Sequence, residues 1–154
     1  MKSHFVCGLI WRWNDDIREV EFVVIDSVST DPKTGRKSKK EMKFPGGCNR
    51  VPDEPIELTL QREILEETYL AILPNNAREI WKKEVGGGEH TKYGFLINEV
   101  NCRGELRKEF LNDHGDEMSP PRYERVSVLK HALYPGHQEP FAKALEYLEY
   151  QGLV

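Results

Sequence analysis

The sequence predicts an α/β layered domain. Runs rich in β-branched and aromatic residues recur along the chain, as strands do. Two other stretches space their apolar residues at helical intervals. The 154 residues, 38% hydrophobic and 31% charged, suit one soluble domain spanning 1–154 with a core of its own.

Each element has a local reason. Residues 5–13 are apolar and aromatic, as in a largely buried strand. Asn14-Asp15-Asp16 reads as a turn, and residues 20–25 (Val-Glu-Phe-Val-Val-Ile) as a second strand. Asp31-Pro32-Lys33-Thr34-Gly35 has turn chemistry, and residues 39–44 would return as the second arm of that hairpin. Pro45-Gly46-Gly47 then breaks regular structure. A helix is expected over 55–70. Asp53 is its expected N-cap, Glu54 and Glu57 favour the positive end of its dipole, and Ile56, Leu60 and Ile64 form an apolar stripe. Residues 80–85, 93–100 and 126–128 are the next strand candidates, separated by Gly86-Gly87-Gly88 and by the polar residues 112–122. A last amphipathic helix over 139–150 carries Phe141, Ala144, Leu145 and Leu148 on the face that packs on the sheet.

Composition excludes several classes. No apolar run approaches the length of a membrane span. The first residues carry no long apolar core or small-residue cleavage site, so no secretory signal is expected. Cys7, Cys48 and Cys102 are far apart and form no CxxC pair, which argues against a disulfide framework or a zinc knuckle and for a reducing cytoplasm. The net charge of −4 gives no global argument for nucleic-acid binding. The charge is unevenly spread. Residues 33–43 hold Lys33, Arg36, Lys37, Lys39, Lys40 and Lys43 against Glu41, whereas residues 54–67 hold Glu54, Glu57, Glu63, Glu66 and Glu67 against Arg62.

The informative stretch is Arg62-Glu63-Ile64-Leu65-Glu66-Glu67. On a helix, Glu66 and Glu67 follow Glu63 by three and four residues, so the three carboxylates share a face. Their mutual repulsion disfavours the helix unless a cation neutralises it. Carboxylate oxygens suit Mg²⁺ or Mn²⁺, which would also neutralise a phosphate and orient a water. A glutamate-rich helical face is usually just solvated surface. The order of elements favours the metal: a strand, a Phe44-Pro45-Gly46-Gly47 break where backbone can approach a ligand closely, a loop, then this helix.

In these residues the chain resembles the Nudix hydrolases, whose box reads G-x5-E-x7-R-E-U-x-E-E-x-G-U with U a bulky apolar residue. Gly47, Glu54, Arg62-Glu63-Ile64-Leu65-Glu66-Glu67 and Leu70 fill the pattern. Two positions depart from it: the loop from Gly47 to Glu54 holds one extra residue, and Tyr69 replaces a glycine, implying that the helix runs on or exits differently. The resemblance implies a Nudix-like α/β/α sandwich with a mixed β-sheet. It implies an Mg²⁺- or Mn²⁺-dependent hydrolase that cleaves the diphosphate linkage of a nucleoside diphosphate joined to another moiety. Glu66 and Glu67 would be the principal metal ligands, Glu63 a further or water-mediated one, and Gly46 would offer its carbonyl. Arg62 would orient the glutamates, with Glu54 in the same network. The general base would come from a later loop; Glu117 is the first candidate there, with Asp116 and His114 as neighbours.

Alternatives stay open beside this reading. A Nudix-like domain that binds a nucleotide or a partner without turnover is the second, and the loop insertion and Tyr69 favour it. RNA 5′-end processing is a third, resting on the basic residues 33–43, which also suit a solvated hairpin tip. An ADP-sugar, a dinucleoside polyphosphate and a damaged nucleoside triphosphate are all possible substrates, and a homodimer is possible. Trp11, Trp13, Tyr93, Phe95 and Tyr123 could stack on a base or fill the core. His90, His131 and His137 have no zinc spacing, and Gly86-Gly87-Gly88 lacks a phosphate-loop ending.

Overall fold

A computed structural model describes residues 2–113 and 115–153. The two long apolar runs form strands β1 (Ser3–Asn14) and β2 (Glu19–Val28), an antiparallel pair joined by a turn at residues 15–18. They pair only at their joined end, from Trp11↔Phe22 to Asn14↔Glu19, and then splay apart. The chain fills the split. Strand β3 (Glu41–Lys43) pairs with β2, and β4 (Gly46–Cys48) pairs with β1, so Phe44-Pro45 is where the chain changes partner. This split positions everything that follows.

Helix α1 (Ile56–Thr68) comes next, then the short β5 (Ala71–Ile72). Strands β6 (Arg78–Val85) and β7 (His90–Asn98) form a hairpin around the triple-glycine turn, and β7 lies parallel to β1. Strand β8 (Cys102–Arg103) pairs with β5. The polar stretch folds into a small hairpin, β9 (Leu111–Asp113) and β10 (Asp116–Met118), followed by β11 (Arg122–Arg125). Both β10 and β11 pair with the far side of β2. Helices α2 (Val126–Ala132) and α3 (Gln138–Tyr150) complete the fold. Among the described residues no helix is long and apolar enough to cross a membrane.

Alternation along β1 separates two cores. Cys7 and Leu9 join Phe22, Leu96, Leu129, Phe141, Ala144 and Leu148 beneath α2 and α3. Val6 and Ile10 join Val23, Leu60, Ile64, Phe95 and Ile97 beneath α1. The result is the expected α/β/α sandwich with a mixed sheet.

Three local expectations are corrected. Residues 126–128 start α2 and are not a strand. Their Val-Ser-Val alternation suits a strand, but Leu129 continues the apolar spacing into the core, and a helix buries it and delivers Leu133, just past its end, to the same core. The N-cap of α1 is Pro55 and not Asp53, and it makes no side-chain capping bond. Tyr69 does not extend the helix. It takes the left-handed conformation at φ 69°, and its N–H bonds the Leu65 carbonyl, so the helix stops where a glycine would stop it.

Candidate active site

The carboxylate helix meets the glycine strand at the split in the sheet. A Cβ on Gly46 would lie 2.1 Å from the Val6 carbonyl oxygen, and one on Gly47 would lie 2.5 Å from Cδ of Glu63. Only bare backbone lets β4 sit on β1 while the Glu63 carboxylate lies against it.

Each carboxylate has its own support. The Arg62 guanidinium reaches both Glu54 oxygens, with Nη2 at 2.7 Å from Oε1 and Nε at 3.3 Å from Oε2. It also donates to Glu63 Oε1 at 2.7 Å and to the Cys48 carbonyl at 3.1 Å, and it stands 3.7 Å from Glu66. This planar fork fixes Glu63 against β4. Glu54 additionally accepts the Thr59 hydroxyl at 2.5 Å, and Thr59 in turn contacts His4 Nε2 at 2.7 Å. The hydroxyl has one proton, which goes to the carboxylate, so His4 Nε2–H donates to Thr59. The hydrogen bond from Arg62 is the main reason the Glu54 carboxyl is held down at about 2. The Glu63 carboxyl is pushed up by burial, against the pull of Arg62.

Glu67 Oε1 accepts the Gly46 N–H at 2.9 Å. Glu66 turns outward, where Arg50 of the enlarged loop meets Oε1 at 2.8 Å. That loop is tied down at its start, for Asn49 Oδ1 accepts the His4 N–H at 2.8 Å. Gly46 also presents its carbonyl. Gly8 N–H bonds the Pro45 carbonyl and Asn49 N–H bonds the His4 carbonyl, so the alternate position, Gly46, turns N–H and C=O away from β1 and toward α1.

These groups border a cleft of about 500 Å³. Glu63, Glu67, Gly46 and Gly47 line it, and so does Asp116 on β10. Glu117 does not. Neighbours on a strand face opposite ways, and Glu117 is turned out to an ion pair with Lys37 at 3.0 Å. His114 lies outside the described residues. Of the two acidic neighbours on β10, Asp116 is the one that borders the cleft. The lining also takes in Phe5, Trp81, Tyr134, His137 and Lys92, which no sequence motif singled out for the site, and Lys43 from the basic run. These residues come from β1, β6, β3, β7 and the segment before α3, and no local motif joins them. The five aromatic stacking candidates lie elsewhere: Tyr93 and Phe95 pack under α1, Trp11 against the other core, Tyr123 under Arg12, and Trp13 is at the surface, where its Nε1–H donates to Asp15.

The donor set has the chemistry of a hard-cation site: carboxylates, a backbone carbonyl and a cleft wide enough for water. Among the described residues no three such side chains already converge on one point. Glu63 and Glu67 reach the cleft, while Glu66 is held at its rim by Arg50. Mg²⁺ keeps several waters and needs few protein ligands, so the residues fit it without a closed cage.

No protein-family model and no curated protein matches the sequence significantly. Solved structures do resemble it. A MutT Nudix hydrolase from Burkholderia pseudomallei superposes with a TM-score of 0.62 at 18% identity, covering 93% of this chain and 98% of that one. An ADP compounds hydrolase gives 0.68 at 15% identity, over 100% of this chain and 77% of the other. The Nudix domain of Shewanella oneidensis NrtR, solved with ADP ribose, gives 0.60 at 17% identity, over 96% and 89%. At such identities what is shared is the architecture, and the chain therefore has the fold of the Nudix hydrolases.

Proposed function

We propose that the protein is a divalent-cation-dependent pyrophosphohydrolase that splits the diphosphate linkage of a nucleoside diphosphate joined to another moiety. The observation that carries this reading is the juxtaposition of Glu63, Glu67 and Asp116 around one cleft beside the Gly46–Gly47 backbone. The cleft volume falls in the range of small-molecule sites.

Bound Mg²⁺ or Mn²⁺, held by Glu63, Glu66, Glu67 and the Gly46 carbonyl, would neutralise phosphate charge and acidify a water. Arg62 keeps Glu63 in place, and the Gly46 N–H does the same for Glu67. Asp116 takes the proton as the water oxygen bonds to phosphorus. The bridging oxygen leaves with its electron pair on the second phosphate, giving two phosphate-bearing products.

The second reading is a domain that binds nucleotide without turnover. The Arg50–Glu66 ion pair, which occupies one of the three carboxylates, favours it. RNA 5′-end processing has less support, because Lys43 is the only member of the basic run that lines the cleft.

The test is a screen of nucleotide diphosphate derivatives with Mg²⁺, with Mn²⁺ and with EDTA, reading both products. Metal-dependent cleavage is the expected result. Silence across the panel, with nucleotide binding by calorimetry, would leave the binding domain standing in its place.

A further inference from the structure

His137 is buried at the wall of the cleft, with 6% of its surface exposed. Its ring stacks on Phe44 at 5.7 Å between centroids and meets Phe5 at 5.9 Å and Tyr134 edge-on at 5.4 Å. Nδ1 accepts the Phe44 N–H at 3.0 Å. The neutral ring therefore carries its proton on Nε2. Nε2 has no partner among the described residues, yet no buried side-chain nitrogen or oxygen among them lacks one. It is therefore open to the cleft that the ring lines, as a fixed N–H donor. Burial holds the imidazole neutral, with its pKa down at about 3, and the charges of Lys43 and Lys92 add to that effect. Lys43 Nζ lies 4.8 Å from the centroid of the Tyr134 ring, and Lys92 sits beside Phe5 in the β1–β7 register. Neither lysine is ion-paired to a described residue. Two ammonium groups without an ion-pair partner among the described residues and a locked N–H, set among aromatic faces, make a wall of donors.

We propose that this wall is a subsite for an anionic, acceptor-only group, a phosphate monoester or a carboxylate, on the substrate moiety beyond the diphosphate under attack. His137 Nε2–H donates to it, and Lys43 and Lys92 balance its charge. The inference rests on the hydrolase reading for its substrate frame, and its test does not depend on turnover.

The experiment is calorimetric binding without added metal to matched pairs that differ in one anionic group. NADP⁺ against NAD⁺ and coenzyme A against dephospho-coenzyme A test a phosphate monoester. UDP-glucuronate against UDP-glucose tests a carboxylate. The anionic member of at least one pair should bind about tenfold tighter, the scale of one hydrogen bond to a charged group. The preference should collapse in Lys43→Met/Lys92→Met, whose side chains are only half-buried. It should weaken in His137→Asn, which keeps an acceptor for the Phe44 N–H; if that variant melts early, the lysine pair carries the test. Equal affinity within every pair, or a preference that survives the double lysine change, overturns the subsite. Preferential binding with no cleavage in the presence of Mg²⁺ supports the subsite and overturns the hydrolase. Cleavage without preference does the reverse.

Discussion

Glu67 carries two jobs on one carboxylate. One oxygen receives the Gly46 N–H at 2.9 Å, which ties the helix to the glycine strand, and the charge faces the cleft. Glu67→Gln separates them, since the amide oxygen still accepts from Gly46 while the charge is gone. We expect turnover to fall at least about a hundredfold with the melting temperature nearly unchanged, on the scale of a lost electrostatic contact in a transition state. Turnover at the wild-type rate would remove Glu67 from the chemistry. That Glu63, Glu66 and Glu67 share a face was legible in the sequence, because it follows from helical spacing alone. Which of them reaches the cleft was not. Arg50 draws Glu66 outward from a loop whose course depends on Asn49 and His4.

At the scale of elements, the end of α1 decides how well Glu67 is held. Tyr69 stops the helix in a left-handed turn, and the carbonyls left open there are met by Arg107. The Arg107 side chain, 1% exposed, donates to the Glu67 carbonyl from Nε and to the Ser119 carbonyl from Nη2, both at 2.9 Å, and to the Glu109 carbonyl from Nη1. Its own N–H bonds the Thr68 carbonyl at 2.9 Å. A buried cation at a helix C-terminus is favoured by the dipole, and the guanidinium fork serves several carbonyls together. It thereby joins α1 to Ser119, next to the strand that carries Asp116. Arg107→Ala should cost about 3 kcal/mol by stranding buried carbonyls, lowering the melting temperature by about 10 °C. Arg107→Lys should recover only part of this, because a point charge cannot span the same carbonyls. A melt within a degree or two of wild type would show that water replaces the side chain. Nothing in the sequence singled out Arg107, since its partners come from three separate segments.

At the scale of the molecule, acid should unfold this protein in two stages. The unfolded chain protonates His137 near its ordinary value of 6.5, whereas the folded chain resists until about 3. The stability this supplies is complete above pH 6.5 and falls by up to about 1.4 kcal/mol per pH unit below it. Glu54, held at about 2 against an ordinary 4.5, adds a second loss as pH drops through that lower window. Urea titrations from pH 7.5 to 3 should show stability declining from about pH 6.5 and more steeply below about 4.5. His137→Asn should make the upper limb shallower, leaving the share of His4, whose imidazole burial also holds below its ordinary value, and should leave the lower limb in place. A wild-type curve flat between pH 7 and 5 would mean that His137 titrates freely in the folded state.

What the sequence determined by itself is what short-range chemistry controls. The strand runs around Val6 and Val23, the apolar stripe of α1, the Phe-Pro-Gly-Gly break and the shared face of the glutamates each lie within a few turns or residues, where periodicity and backbone freedom are decisive. The tertiary structure decided whatever depends on register between distant segments. Pairing of β10 with β2 set Asp116 into the cleft and Glu117 out of it, because a shift of one residue along a strand reverses every side chain. The splaying of β1 from β2 opened the split that β3 and β4 fill. Around that split, residues as far apart as Phe5, Lys92 and His137 became one wall.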